Sequence, residues 1–218
     1  MKTELRHIQR PLGIETRDDG IRTLSGYGAV FYREDEPGSE FRLAENYVER
    51  IASTAFDRAI KEDDPRGLFN HEADNILGRV SSGTMRLTVD GVGLKYEIDL
   101  PDSDIGNRVA TAIERGDITG SSFAFRARGV KMSNEGEGVT VRTLTDVSIS
   151  DTGPVTYPAY EGTSADVRSA DAALAIEQRD AWALSMRERD VITVRTDMVS
   201  RGLDAPGREE NGRGGGGV

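Results

Sequence analysis

Two histidines, no cysteine and a pair of serines at the head of an apolar strand pattern bound the chemistry open to this 218-residue chain. Without cysteine there are no disulfides, thiolate metal sites or cysteine nucleophile. His7 sits in a polar terminus and reads as a solvated side chain. His71 follows a short apolar run in Gly67-Leu68-Phe69-Asn70-His71-Glu72, where it reads either as a base or as a surface histidine opening a loop. The segment Thr119-Gly120-Ser121-Ser122-Phe123-Ala124-Phe125 puts hydroxyls at the start of a buried strand, beside a glycine that lets backbone approach closely. They could attack a substrate carbonyl, or simply cap a turn. Serine is a poor nucleophile at neutral pH and needs an adjacent base such as imidazole. Cross-strand pairing can join residues distant in sequence, so His71 can serve Ser122. A third group must fix the imidazole tautomer, and Asp146 and Asp151 are the candidates.

Other chemistries fit worse. Gly120-Ser121-Ser122-Phe123-Ala124 nearly matches the nucleophile elbow, but that motif needs strand, serine, helix and then a later histidine. Here a helix pattern precedes the serines and no histidine follows them. Asp151-Thr152-Gly153 matches the short aspartic-protease signature, yet such enzymes need two carboxylates sharing a proton. No phosphate-binding glycine loop or metal-ligand spacing is present, so neither cofactor nor metal is expected. Asp63-Asp64 and the set Asp99, Asp102, Asp104 read as solvated turn carboxylates. A formal charge of −10 and aromatics not interleaved with basic residues argue against direct nucleic-acid binding. No stretch approaches the roughly 18 apolar residues that would span a bilayer, so a soluble, cytoplasmic protein without membrane contact is expected.

The elements that must position these residues are mostly strands. Met85, Leu87 and Val89 alternate with polar neighbours, Asp90-Gly91-Val92-Gly93 turns, and Leu94, Tyr96, Ile98 and Leu100 alternate again, a hairpin pattern. Gly26–Phe31 and Val139–Leu144 are further strands. Ser53–Ile60 and Asp104–Arg115 carry helical spacing, the second stopping at Gly116. Many strands with few helices predict a β-rich α+β domain, a barrel or sandwich, over residues 1–168. A helical extension is predicted over 169–200 and a disordered Gly-rich tail over 201–218, where little apolar surface offsets ordering entropy.

The ordered series Gly26-Tyr27-Gly28-Ala29-Val30-Phe31, Glu49-Arg50-Ile51, Ala55-Phe56-Asp57-Arg58, Asn70-His71, Leu77-Gly78-Arg79-Val80, Gly83-Thr84, Gly120-x-Ser122-Phe123-x-Phe125 and Pro154-Val155-Thr156-Tyr157-Pro158-Ala159-Tyr160 resembles the prohead (procapsid maturation) proteases of tailed bacteriophages. The resemblance covers about residues 24–168. It implies a serine endopeptidase with a β-barrel and surrounding helices, similar to the herpesvirus capsid-assembly proteases. Its histidine and serine fall on His71 and Ser122, with Ser121 where relatives often have an apolar residue. Its acidic member falls on Asp151, with Asp146 in reserve. The implied substrates are a scaffolding segment of the major capsid protein, or a separate scaffold protein, and the enzyme itself. The portal and a second copy of the chain are further candidate partners. The implied location is inside the assembling phage procapsid in the host cytoplasm. The tail would bind scaffold, be removed by self-cleavage, or act only as a solubilising extension. A non-enzymatic capsid-assembly or scaffolding protein of the same fold is the rival reading.

Overall fold

The computed structural model describes residues 3–36, 38–136, 138–157, 177–186, 189 and 193. Contacts divide the chain into residues 1–175 and residues 176–218. In chain order the first unit holds strands β1 (Glu4–Ile8), β2 (Gly13–Thr16), β3 (Arg22–Val30), β4 (Glu40–Ala44) and β5 (Tyr47–Ile51), then helix α1 (Ala59–Glu62). Strands β6 (Arg66–Leu68), β7 (Ile76–Arg79), β8 (Met85–Val89) and β9 (Gly93–Asp99) follow, then helix α2 (Asp104–Glu114) and the long hairpin β10 (Gly120–Glu135) and β11 (Val139–Val155). In the second unit residues 177–186 are helical, inside the predicted extension. The predicted tail, 201–218, lies outside the described residues.

Period-two alternation builds the sheets. Leu94, Tyr96 and Ile98 of β9 are fully buried, and β9 pairs antiparallel with both β8 and β3. The order β2-β3-β9-β8 makes one sheet, and β1-β10-β11-β5-β4 the path of another, with β6 joining β11 and β7 joining β6. The expected barrel is therefore not a closed one: among the described residues β2 and β8 end the first sheet unpaired with the second. Side-chain packing takes the place of closure. Phe56, Phe123 and Phe125 share one core cluster with Leu144, Val147 and Ile149, while α2 covers the other sheet with Val109, Ala110 and Ile113. Phe123 and Phe125 stack at 4.8 Å between centroids, and Phe56 meets Phe123 edge-on at 6.0 Å.

Helix α2 matches its sequence signals. Ser103 caps it by accepting from the Gly106 N–H, and Gly116 ends it at φ +79°. The predicted helix at 53–60 is mostly a run of turns, with only Ala59–Glu62 helical. The Ala55 carbonyl accepts from the Val147 N–H of β11 rather than from residue 59, which blocks helix growth from Ser53. Among the described residues no helix is long and apolar enough to cross a membrane.

Asp99, far from a solvated turn carboxylate, closes the β3–β9–β8 sheet. Arg86 reaches both its oxygens at 2.9 Å, and Thr23 Oγ1 donates at 2.9 Å. The Arg86 hydrogen bonds, opposed by burial and aided by Thr23 and Arg17, hold this carboxyl down at about 2. A folded value below the unfolded one stabilises the fold above the unfolded value, near 4, and the contribution disappears as pH falls from about 4 to about 2. Thermal unfolding followed between pH 5 and pH 2 should therefore show a shallower acid loss in Asp99→Asn than in wild type. An unchanged acid slope would refute the assignment.

Candidate active site

Strand alternation separates the two serines. Ser121 points into the core, where its Oγ lies 2.7 Å from the phenol oxygen of Tyr96. Burial pushes the Tyr96 phenol up, so this neighbour is neutral at working pH and offers Ser121 no base. Ser122 faces the other way. Its Oγ lies 2.6 Å from His71 Nε2, and His71 Nδ1 lies 2.5 Å from Asp151 Oδ1. The sequence candidates His71, Ser122 and Asp151 are thus brought into one chain of contacts. Asp146 is not part of it: across from Gly129, it pairs with Arg58 at 2.5 Å. Asp151 meets an imidazole here rather than a second carboxylate of the same chain.

Three strands set this geometry. Ser122 stands opposite Gly153, and Ala124 opposite Asp151, so hydroxyl and carboxylate share one face of the β10–β11 ladder. Strand β6 runs parallel to β11, with Arg66 beside Asp151 and Gly67 beside Thr152, and the loop from β6 to β7 carries His71 over that face. Gly153 permits the approach. A Cβ there would sit 2.1 Å from the Leu68 carbonyl oxygen, so any larger residue must push β6 and the His71 loop away.

The loop itself is strained and well held. Asn70 and His71 both adopt left-handed backbone, at φ +56° and +59°, which for a non-glycine pair costs of order 1–3 kcal/mol each unless surroundings impose it. Asn70 supplies the surroundings. Its N–H donates to the Pro154 carbonyl at 3.1 Å, its Oδ1 accepts from the Thr156 N–H at 2.8 Å, and its Nδ2 donates to Thr156 Oγ1 at 3.1 Å. Residues just after Asp151 are thereby tied to the residue just before His71. Sequence reasoning quoted Asn70 without giving it a role, although asparagine's tolerance of left-handed backbone was a usable signal.

Ser122 is fully buried, and its Oγ has a second acceptor, the Arg6 carbonyl of β1 at 3.0 Å. Strand β1 pairs antiparallel with β10, placing His7 opposite Ser122. His7 is therefore not the solvated terminal side chain its neighbourhood suggested: strand pairing half-buries it on the face of the nucleophile. The Asp63 side chain is mostly buried rather than solvated, and Asp64, though partly exposed, is also engaged. Asp64 binds Arg79 and accepts from the Ser81 N–H at 2.9 Å, and chiefly the Arg79 contact holds its carboxyl down at about 2. Among the described residues no three His, Asp or Glu side chains are grouped to hold a metal ion.

With Asp151 ionised, Nδ1 carries the imidazole proton and Nε2 presents its lone pair to the Ser122 hydroxyl. That arrangement can deprotonate the serine as it attacks a carbonyl and return the proton to a leaving group.

A family model described as caudovirus prohead serine protease matches residues 10–176, a span that contains His71, Ser122 and Asp151 and begins after β1. Among solved structures, the bacteriophage T4 capsid assembly protease gp21 is similar at a TM-score of 0.45 and 12% identity, covering 71% of this chain and 99% of that one. No curated protein matches the sequence.

Proposed function

The chain belongs to the caudovirus prohead serine protease family, and from that premise we propose that it is an endopeptidase with Ser122 as nucleophile, His71 as general acid and base, and Asp151 as the group orienting His71. The observation that carries the assignment is the unbroken run from Asp151 Oδ1 through both imidazole nitrogens to Ser122 Oγ, at 2.5 and 2.6 Å.

Ser122 Oγ forms a bond to the scissile carbonyl carbon while its proton passes to His71 Nε2. The tetrahedral intermediate collapses as the C–N bond breaks, and the leaving amine takes that proton. Water, deprotonated by the same nitrogen, then releases the acyl group and restores Ser122. Asp151 stays ionised throughout, holding the Nδ1–H tautomer and the imidazolium charge. An oxyanion hole of backbone N–H groups stabilises the intermediate. The Arg6 carbonyl competes with His71 for the serine proton, so attack requires the hydroxyl to turn fully to Nε2.

On this reading the substrates are a scaffolding segment of the major capsid protein, or a separate scaffold protein, and the protease itself, cleaved inside the assembling procapsid in the host cytoplasm. The portal and a second copy of the chain are further partners to examine. The protease domain falls within residues 1–168 and is akin in fold to the herpesvirus capsid-assembly proteases. Residues 201–218 engage scaffold, are removed by self-cleavage, or act only as a solubilising extension.

Intact mass followed over time tests the proposal, with wild type and Ser122→Ala each co-expressed with shell and scaffold proteins. Truncation of scaffold or enzyme in wild type alone is the expected result. Equal truncation in both would remove Ser122 as nucleophile, and truncation in neither would favour a structural role in assembly.

A further inference from the structure

The long β10–β11 ladder is not regular, and one irregularity decides where Asp151 points. Asp151 pairs with Ala124, but the next pair is Ile149 with Phe125, leaving Ser150 as an extra residue on β11. In a regular strand residues 149 and 151 share a face. Ile149 is 4% exposed in the core beside Phe125, so without the bulge Asp151 would face the core too. The extra residue at Ser150 turns Asp151 out to His71.

One carboxylate holds this bulge. Asp63 Oδ2 accepts from the Ile149 N–H at 2.8 Å, and Asp63 Oδ1 meets Ser148 Oγ at 3.4 Å. The same Oδ1 accepts from Arg128 Nη2 at 2.9 Å, and Arg128 is itself the extra residue at the next irregularity, on β10 between Ala127 and Gly129. The Asp63 side chain is only 9% exposed. Its own backbone is fixed, because its N–H donates to the Ala59 carbonyl at the end of α1. Three residues later the chain enters β6 beside Asp151.

We propose that Asp63 is a positioning residue for the catalytic carboxylate: by clamping the Ser150 bulge and Arg128 it keeps Asp151 turned onto His71. This rests on the serine-protease reading above, and its test separates the two. The full-length chain is treated with a fluorophosphonate, whose phosphorus bonds to Ser122 Oγ as fluoride leaves and the hydroxyl proton passes to His71. Labelling is read as mass gain per folded molecule. Proton NMR follows the far-downfield imidazole N–H of the His71–Asp151 hydrogen bond, identified by its loss in His71→Gln.

Asp63→Ala should label about 10- to 100-fold more slowly, the size expected of a displacement near 1 Å at a catalytic group, and should lose the downfield resonance. Asp63→Asn keeps an oxygen to accept from the Ile149 N–H, and should retain the resonance and recover most of the rate. Wild-type labelling and resonance in Asp63→Ala would overturn the proposal. So would loss of the resonance in Asp63→Asn, a result readable even if the alanine variant does not fold. Labelling of Ser122→Ala at the wild-type rate would overturn the serine reading itself, while the imidazole resonance would still judge Asp63.

Discussion

Replacing Ser122 with alanine is expected to lower peptide-bond cleavage by about 10⁴- to 10⁶-fold, and His71→Ala by a similar factor. The double variant should be no slower than either single one, because the two residues act in one proton transfer and neither works alone. Asp151→Asn should cost about 10⁴-fold, since the amide would favour the imidazole tautomer that leaves no lone pair for the serine. Ser121→Ala supplies the contrast. It removes one buried hydrogen bond, with Tyr96, at about 1 kcal/mol of stability, and should leave cleavage within a few-fold of wild type. The measurement is single-turnover cleavage of the scaffold target, with folded fraction checked by thermal melting. Full activity in Ser122→Ala, or loss in Ser121→Ala without unfolding, would reverse the assignment of the two hydroxyls.

The choice of Ser122 over Ser121 came from family resemblance, although the opposite parity of Ser122 to Phe123 and Phe125 was a usable signal. The hairpin at Met85–Leu100 and helix α2 were legible because their signals are periodic and local. What escaped was everything set by a distant partner. The helix expected from Ser53 is cut short because the Ala55 carbonyl bonds to Val147, which no local propensity records. The preference for Asp151 over Asp146 came from family resemblance, whereas physically it depends on a bulge and on β6 lying alongside. Residues 1–8 looked like a polar terminus, since Glu4, Arg6 and His7 are hydrophilic by type. Of these, Glu4–Ile8 form a strand buried on one face because charges from β5 and β11 are waiting for them.

Those charges carry the largest stability effect expected outside the site. Glu4 and Arg6 of β1, Glu49 of β5 and Arg142 of β11 form a buried group of two acids and two bases. Arg142 grips both oxygens of Glu4 at 2.8 and 2.9 Å and also bonds to Glu49, while Arg6 Nε donates to Glu49 at 2.6 Å and its Nη2 to Glu4 at 3.0 Å. Taken together the four are neutral, and the cost of removing them from water is offset only while every partner remains. Arg142→Met leaves Arg6 facing two buried carboxylates. It should destabilise the fold by about 3–5 kcal/mol, lowering the melting temperature by roughly 6–20 °C. Replacing all four residues by apolar ones of similar volume should recover most of that loss, because the effect comes from an uncompensated charge rather than from a favourable ion pair. The site should also respond. Arg6 presents the carbonyl that accepts from Ser122 Oγ, so loosening β1 should change cleavage per folded molecule as well as stability. A melting temperature in Arg142→Met within about 2 °C of wild type would show that the charges are solvated in solution and that β1 is held by its backbone ladder alone.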